Sequence, residues 1–310
     1  MQGSDRTKRR RTLLFAGAAA GAVAAFLVPV PSDSREVAAI MDLLHAPVFM
    51  LAAILSYRVF LGSSAPLGKI VIVGLLLVGL GALLELTQGF FGRHPTWHDA
   101  TSNAVGALVG IIAAKASVTG SAKQLLGAMV PGGLLLLGVS VQPLTVLADS
   151  LLQRLQMPQL GSFEYSTEVT RWVADEHCTL RRVRRQATDG SWSLALELDP
   201  GRYPGASLHV ASLDWSSYQE LVCDLSLDGS QPLNLVIKIE DVQHNGDPRD
   251  RYHRRVHLEH GTHRLRIPLA EVKAAPRSRD MDLSRIVRIQ FFTVDLGSPT
   301  TVYLDNIHLR

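Results

Sequence analysis

Between Thr12 and Ala148 the chain carries five apolar stretches long enough to cross a lipid bilayer, and beyond Leu151 it carries none. A span needs about 20 mostly apolar residues to cover roughly 30 Å of hydrocarbon. No water there satisfies the backbone, so each stretch must be a helix. The stretches are residues 13–30, 43–61, 67–90, 100–116 and 125–148. The fourth is short and rich in small residues, and the fifth contains Pro131 and Pro143, which neighbouring helices tolerate in a span. One globular core would not segregate its residues so sharply. The expectation is a membrane half over residues 1–150, a linker over 151–160 and a soluble half over 161–310.

The net charge of +3 is slight, and no nucleic-acid partner is expected. Its placement is more informative. Arg6, Lys8, Arg9, Arg10 and Arg11 precede the first apolar run. No small-residue cleavage site closes that run, so an uncleaved first span is expected rather than a signal peptide. Lys and Arg in short loops set orientation. With a cytoplasmic N-tail, Arg58, Lys69, Lys115 and Lys123 also fall inside, against Arg35 and Arg93 outside: nine against two. An odd number of spans then puts the second half outside the cytoplasm. The expected location is the plasma (inner) membrane, with the lipid bilayer as the first partner.

Within "LLELTQGFFGRHPTWHDATSNAVGALVG", Leu83–Gly110, polar residues interrupt the apolar pattern. Asp42 and His45 lie at the outer end of the second span, and Glu85 and Gln88 near the outer end of the third. Arg93, His94 and His98 occupy the following loop, and Asp99 and Asn103 begin the fourth span. All therefore sit at one depth. Asp42 and His45 are three apart, as are Glu85 and Gln88, so each pair shares a helix face. Asp99, Asn103, Gly106 and Gly110 form one stripe whose glycines admit a close helix. "GAAAG" at Gly17–Gly21 repeats the small-residue spacing. Helix-end residues are often plain caps, and Asp99 suits an N-cap. Glu85 lies inside the apolar run, where an unpaired charge is costly. A functional cluster and a structural salt-bridge knot both fit.

Asp42, His45, Glu85, Gln88, Arg93, Asp99, Asn103, Gly106 and Gly110, in this order, resemble the VanZ-like membrane protein family over about the first 120 residues. The resemblance implies a cell-envelope role and, through the founding member, a link to glycopeptide resistance. This chain departs from small members by its fifth span and its long second half.

The second half reads as short strands. "WSLALELD", "LNLVIKIED", "HRLRIPL", "IVRIQFFTV" and "TVYLDNIHL" alternate, and "DPGRYPG", "LDGSQP" and "HNGDP" mark turns. This spacing suggests an antiparallel sandwich. Cys178 and Cys223 both fall here, where an oxidising compartment permits a disulfide; the sequence does not show whether they meet.

"FE" at Phe163–Glu164, "DWSSYQEL" at Asp214–Leu221 and the closing "VYLDNIHL" resemble jelly-roll domains of the galactose-binding and carbohydrate-binding-module type, over residues 161–310. The fold class is then an all-α transmembrane bundle of five helices followed by an all-β antiparallel jelly-roll sandwich. In such domains an early acid and a terminal Asp hold a structural calcium, and Glu164 and Asp305 match those positions; strand-end capping is the alternative. Trp215 and Tyr218 match a motif that packs under the sheet. Tyr203 and Tyr252 lie in polar surroundings and are the candidate glycan platforms. "RDRYHRRVH" suits anionic glycan or lipid headgroups, or a solvated strand face.

Three functions follow. The first is a non-catalytic envelope protein whose sandwich binds glycan or polysaccharide. The second is an enzyme on a lipid-linked envelope precursor, with Asp42, His45, Glu85 and Asp99 as acid and base groups and Arg93 as the anion holder. The third is a carrier, for which no inverted repeat is visible. No nucleophile elbow, phosphate loop, H-E-x-x-H or dinucleotide fingerprint occurs, and Pro95 argues against a zinc-binding helix through His94 and His98.

Overall fold

A computed structural model describes residues 35–88, 96–120 and 122–310. The chain divides into two compact units, Met1–Leu147 and Ala148–Arg310.

The first unit is helical. It contains α1 (Arg35–Ser56), a π-helical turn (Tyr57–Leu61), α2 (Leu67–Gln88) and α3 (Trp97–Thr119). Helix α4 runs from Ala122 to Gln156. Among the described residues, four stretches are long and apolar enough to cross a membrane: Arg35–Leu61, Leu67–Thr87, Trp97–Val118 and Met129–Gln156. Leu75, Leu76, Leu83, Leu86, Leu134 and Leu137 are each more than half exposed. Such an apolar exterior suits lipid rather than water. Inside, Ala53, Tyr57, Ile70, Leu77, Ala107, Ile111 and Ala114 form the core. The expected first span, residues 13–30, and the "GAAAG" repeat lie outside the described residues.

The second unit begins within α4. Residues 151–156, expected in a linker, continue the helix. Their period explains this: Leu147, Leu151, Leu152 and Leu155 recur at helical spacing, with no glycine before Gly161.

Two antiparallel sheets of jelly-roll type follow. One has the order β3–β4–β11–β6–β9, with β1 also on β11; the other is β2–β5–β10–β7–β8. The first comprises β1 (Gln159–Gly161), β3 (Cys178–Val183), β4 (Ser193–Leu198), β6 (Glu220–Leu227), β9 (Gly261–Pro268) and β11 (Thr300–Leu309). The second comprises β2 (Trp172–Ala174), β5 (Gly205–Leu213), β7 (Leu233–Asp241), β8 (Tyr252–Leu258) and β10 (Ile286–Thr293). Strand alternation sends one residue in two inward. Leu235, Ile237 and Ile239 of β7 thus meet Leu196, Leu225 and Leu304 in one core, together with Trp172, Trp215 and Phe291. Tyr218 packs against it.

One expectation needs correction, and the question left open for the cysteines is answered. A short helix, α5 (Leu269–Lys273), follows β9, so the second half is not purely β and the chain carries a helix outside the expected bundle. It buries Leu269 and Val272 against the core. The cysteines do not pair. Cys178 lies on β3 and Cys223 on β6, three strand spacings away in the same sheet. That is roughly 14 Å, beyond the reach of a disulfide, whose Cα atoms lie about 4–7 Å apart.

Candidate functional site

Polar side chains converge in each unit. In the helical unit, α1 supplies Asp42 and His45, α2 supplies Glu85, and α3 supplies Asp99 and Asn103. His45, Glu85, Asp99 and Asn103 are buried, and Asp42 is half-buried. Asn103 Nδ2 donates to Glu85 Oε1 at 3.3 Å. Its amide oxygen is thereby turned to His45 Nδ1, 3.0 Å away, so Nδ1 carries the proton. Nε2 then faces Asp99 Oδ1 at 3.9 Å. One ligand-capable atom from each of Asp42, His45 and Asp99 falls within 4.8 Å of the others. This trio could hold a metal ion.

The glycine stripe explains how α1 and α3 come this close. A Cβ on Gly106 would lie 2.2 Å from the Ala46 carbonyl oxygen, and one on Gly110 would lie 2.3 Å from that of Met50. Neither position admits a side chain, so the two backbones touch one turn from the His45–Asn103 bond. Helix α3 starts earlier than expected. Thr96 is the N-cap, accepting from Asp99 N at 3.0 Å, which frees the Asp99 carboxylate for the cluster. The Thr-x-x-Asp spacing of "TWHD" carried this signal. Gln88 ends α2, and His98 is half-buried in the first turn of α3. Arg93 and His94 lie outside the described residues.

In the sandwich, Glu164 and Asp305 do not share a ligand set. Glu164 Oε1 accepts the N–H groups of Ser191 and Trp192, both at 2.8 Å. Asp305 Oδ2 accepts those of Thr188 and Asp189, at 2.6 and 2.9 Å, and its Oδ1 accepts from Asn306 N at 2.7 Å. The two carboxylates thus tie the loop 188–192 from separate positions. Burial pushes the Asp305 carboxyl up, while these N–H groups pull it back in part.

Tyr252, expected as a glycan platform, is a core residue, 5% exposed. It pairs with Ile239 of β7 and faces inward with it. The same register sends His253 and Arg255 outward.

Outward residues of three neighbouring strands form cross-strand rows. Phe292, Val236 and Arg255 make one row; Gln290, Lys238 and His253 make the next; Arg288 pairs with Glu240 beyond. Arg251 approaches from the turn before β8. Together with Tyr203 they enclose a groove of about 500 Å³. Tyr203 is 49% exposed. It meets Phe292 edge to face, ring centres 6.2 Å apart. Gln290 Nε2 donates to Asp175 Oδ2 at 2.7 Å.

In the row beyond the groove lies Glu240, 2% exposed. Its Oε1 takes Lys238 Nζ at 2.9 Å, His244 Nε2 at 3.2 Å and Arg251 Nη1 at 3.8 Å. Its Oε2 takes Arg288 Nε at 2.7 Å. Burial alone would raise the Glu240 carboxyl, but Lys238 and Arg288 hold it below its ordinary range. Burial lowers the Lys238 ammonium, and Glu240 only partly opposes this. The result is an apolar shelf beside a cationic floor. The sequence singled out Arg251 only within the basic run "RDRYHRRVH", and it missed Lys238, Glu240, Gln290 and Phe292 because β7 and β10 lie apart in the chain.

No family model matches the chain, and no curated protein matches it. Among solved structures, an exo-beta-agarase is similar at TM-score 0.40 and 16% identity, over 49% of this chain and 24% of that one. This chain thus spans about a quarter of the agarase. A family 11 carbohydrate-binding module from Clostridium thermocellum, solved with a beta-1,3-1,4-mixed-linked tetrasaccharide, is similar at TM-score 0.38 and 18% identity, over 49% of this chain and 94% of that one. The CBM22-1 xylan-binding domain from Paenibacillus barcinonensis Xyn10C is similar at TM-score 0.36 and 17% identity, over 48% of this chain and 90% of that one.

Proposed function

We propose that the protein is an integral cell-envelope protein whose sandwich binds glycan in the groove on the outer face of β10, β7 and β8. In this reading the N-tail is cytoplasmic, the helices anchor the chain as a VanZ-like domain, and the sandwich lies outside. The observation that carries it is the groove itself. Tyr203 offers exposed ring surface of the kind that sugar faces cover, with the half-buried ring of Phe292 beside it, and Lys238, Arg251, His253, Arg255 and Gln290 supply donors. Concave sites with an apolar wall and a few convergent polar groups are where small ligands bind.

The test is binding of a polysaccharide panel to the full chain in lipid nanodiscs. Tyr203→Ala and Phe292→Ala should each weaken binding at least about tenfold, the scale of one lost aromatic contact. Binding untouched by either change would sink this site, and no binding to any polysaccharide would sink the function.

A second reading rests on the trio Asp42, His45 and Asp99 with Glu85 behind it. Here the helical unit acts on a lipid-linked precursor at the outer leaflet. Loss of cellular activity in a folded His45→Ala variant, with glycan binding intact, would favour it.

A further inference from the structure

We infer that the glycan taken by this groove is acidic, with a carboxylate on its repeating unit. The inference rests on the glycan-binding reading and narrows its ligand class.

The lining of the groove contains Lys238, Arg251 and Arg255, and no Asp or Glu. The carboxylate beside the lining, Glu240, is already ion-paired. Glu240 meets Lys238, Arg251 and Arg288, three cationic groups on one anion. Those four groups leave two positive charges in surplus, and Arg255 makes three. Arg255 has no ion pair or side-chain hydrogen bond with another described residue. Arg251 Nε is shut from water and donates to no acceptor. A buried cationic donor without an acceptor is costly, and a ligand oxygen arriving in the groove would remove that cost.

Geometry selects a sugar acid over a bare anion. Arg255 stands in the same cross-strand row as Phe292, with Val236 between them. Adjacent strands lie about 4.8 Å apart, so the row spans roughly 10 Å. A pyranose ring on Phe292 and Tyr203 therefore sets a neighbouring unit's carboxylate over Arg255 and Arg251. Guanidinium forks match carboxylates in two-point contacts. A neutral glucan would cover the same aromatics and leave the cations facing one another.

The experiment uses the full chain in nanodiscs of zwitterionic lipid. The probes are polygalacturonate, the same polymer with its carboxylates reduced to alcohols, neutral mixed-linkage β-glucan, and vesicles containing anionic lipid. Polygalacturonate should bind, weaken as salt rises, and lose about tenfold or more in affinity with Arg255→Gln, the scale of one charge-assisted hydrogen bond. Arg181→Gln is the control for bulk charge: Arg181 is an exposed cation on the other sheet, and this change should leave binding unaltered. Equal binding of the reduced polymer or the neutral glucan would overturn the acidic ligand while leaving glycan binding intact. Failure of every polysaccharide would overturn both. Groove-dependent capture of anionic vesicles without polysaccharide binding would assign the cations to lipid headgroups instead.

Discussion

Arg171 offers the sharpest test of how the second unit is held together. It ends a 3-10 turn, Ser166–Arg171, and its side chain is fully buried. Its guanidinium forks onto Asp149, with Nε to Oδ2 at 3.0 Å and Nη2 to Oδ1 at 3.1 Å. It also donates to Gln156 Oε1 at 2.7 Å and to the Leu160 carbonyl at 3.2 Å. Arg171→Met removes the cation from a buried charge pair with Asp149, a change that costs about 3–5 kcal/mol. With a urea slope near 2 kcal/mol per molar, the unfolding midpoint should fall by roughly 2 M. Replacing both partners, as Asp149→Leu with Arg171→Met, removes the charge and its desolvation together. That variant should return to within about 1 kcal/mol of the original protein. The fluorescence of Trp172 and Trp215, both in the sandwich core, follows the transition in detergent. A single variant costing under about 1 kcal/mol, or a double variant worse than the single, would refute the buried-pair argument. The same contacts predict that a fragment beginning at Gly161 is less stable than one beginning at Ala148, because it lacks Asp149 and Gln156.

Gly106→Ala should disrupt the helical unit, since its new Cβ would meet the Ala46 backbone, whereas Gly79→Ala, with nothing within 4 Å, should not; melting in detergent separates them, and equal melting would refute the close packing of α1 and α3. Asp224, Glu240 and Asp241 all lie below their ordinary values. For each, burial pushes upward, but Arg264, Lys238 with Arg288, and Arg279 respectively outweigh it. Their contribution is therefore present above the unfolded values of 3.8 to 4.5 and is lost as pH falls through the lower folded ones. Thermal stability should stay level from about pH 7 to 5 and drop below about pH 4, with Asp305, shifted the other way, opposing in part; a sandwich unweakened at pH 3 would contradict this. Because backbone N–H groups occupy Glu164 Oε1 and both Asp305 oxygens, chelators should leave the melting temperature unchanged. Asp305→Ala, which strands those donors, should lower it by roughly 4–8 °C for about 2 kcal/mol; a calcium-dependent melting temperature would restore the metal reading.

Local pattern was legible where one period ruled. The alternation of "LNLVIKIED" placed Leu235, Ile237 and Ile239 in the core, and three-residue spacing put Asp42 with His45. Tyr252 was misjudged because its neighbours in "RDRYHRRVH" are polar on both faces, and only pairing with Ile239 shows which way it points. The Arg171–Asp149 pair was invisible, since 22 residues separate a helix end from a turn. Residues 151–156, expected in a linker, continue α4, and their leucine period carried that signal. The groove required strands β7, β8 and β10 to be set side by side, and no spacing within one segment reports that.

The thiols have a practical consequence. The chain has two cysteines, which stand strands apart, and both are pushed up to about 12 by burial. Thiolate, the form that reacts, is scarce at neutral pH for both. The natural protein is thus close to a silent background for chemical labelling. A single cysteine introduced at Ser63, exposed in the turn before α2, or at Lys123, exposed in the first turn of α4, would be the dominant reactive thiol. Membrane-impermeant maleimide applied to intact cells would then read the sidedness of each turn directly, without deleting any native residue.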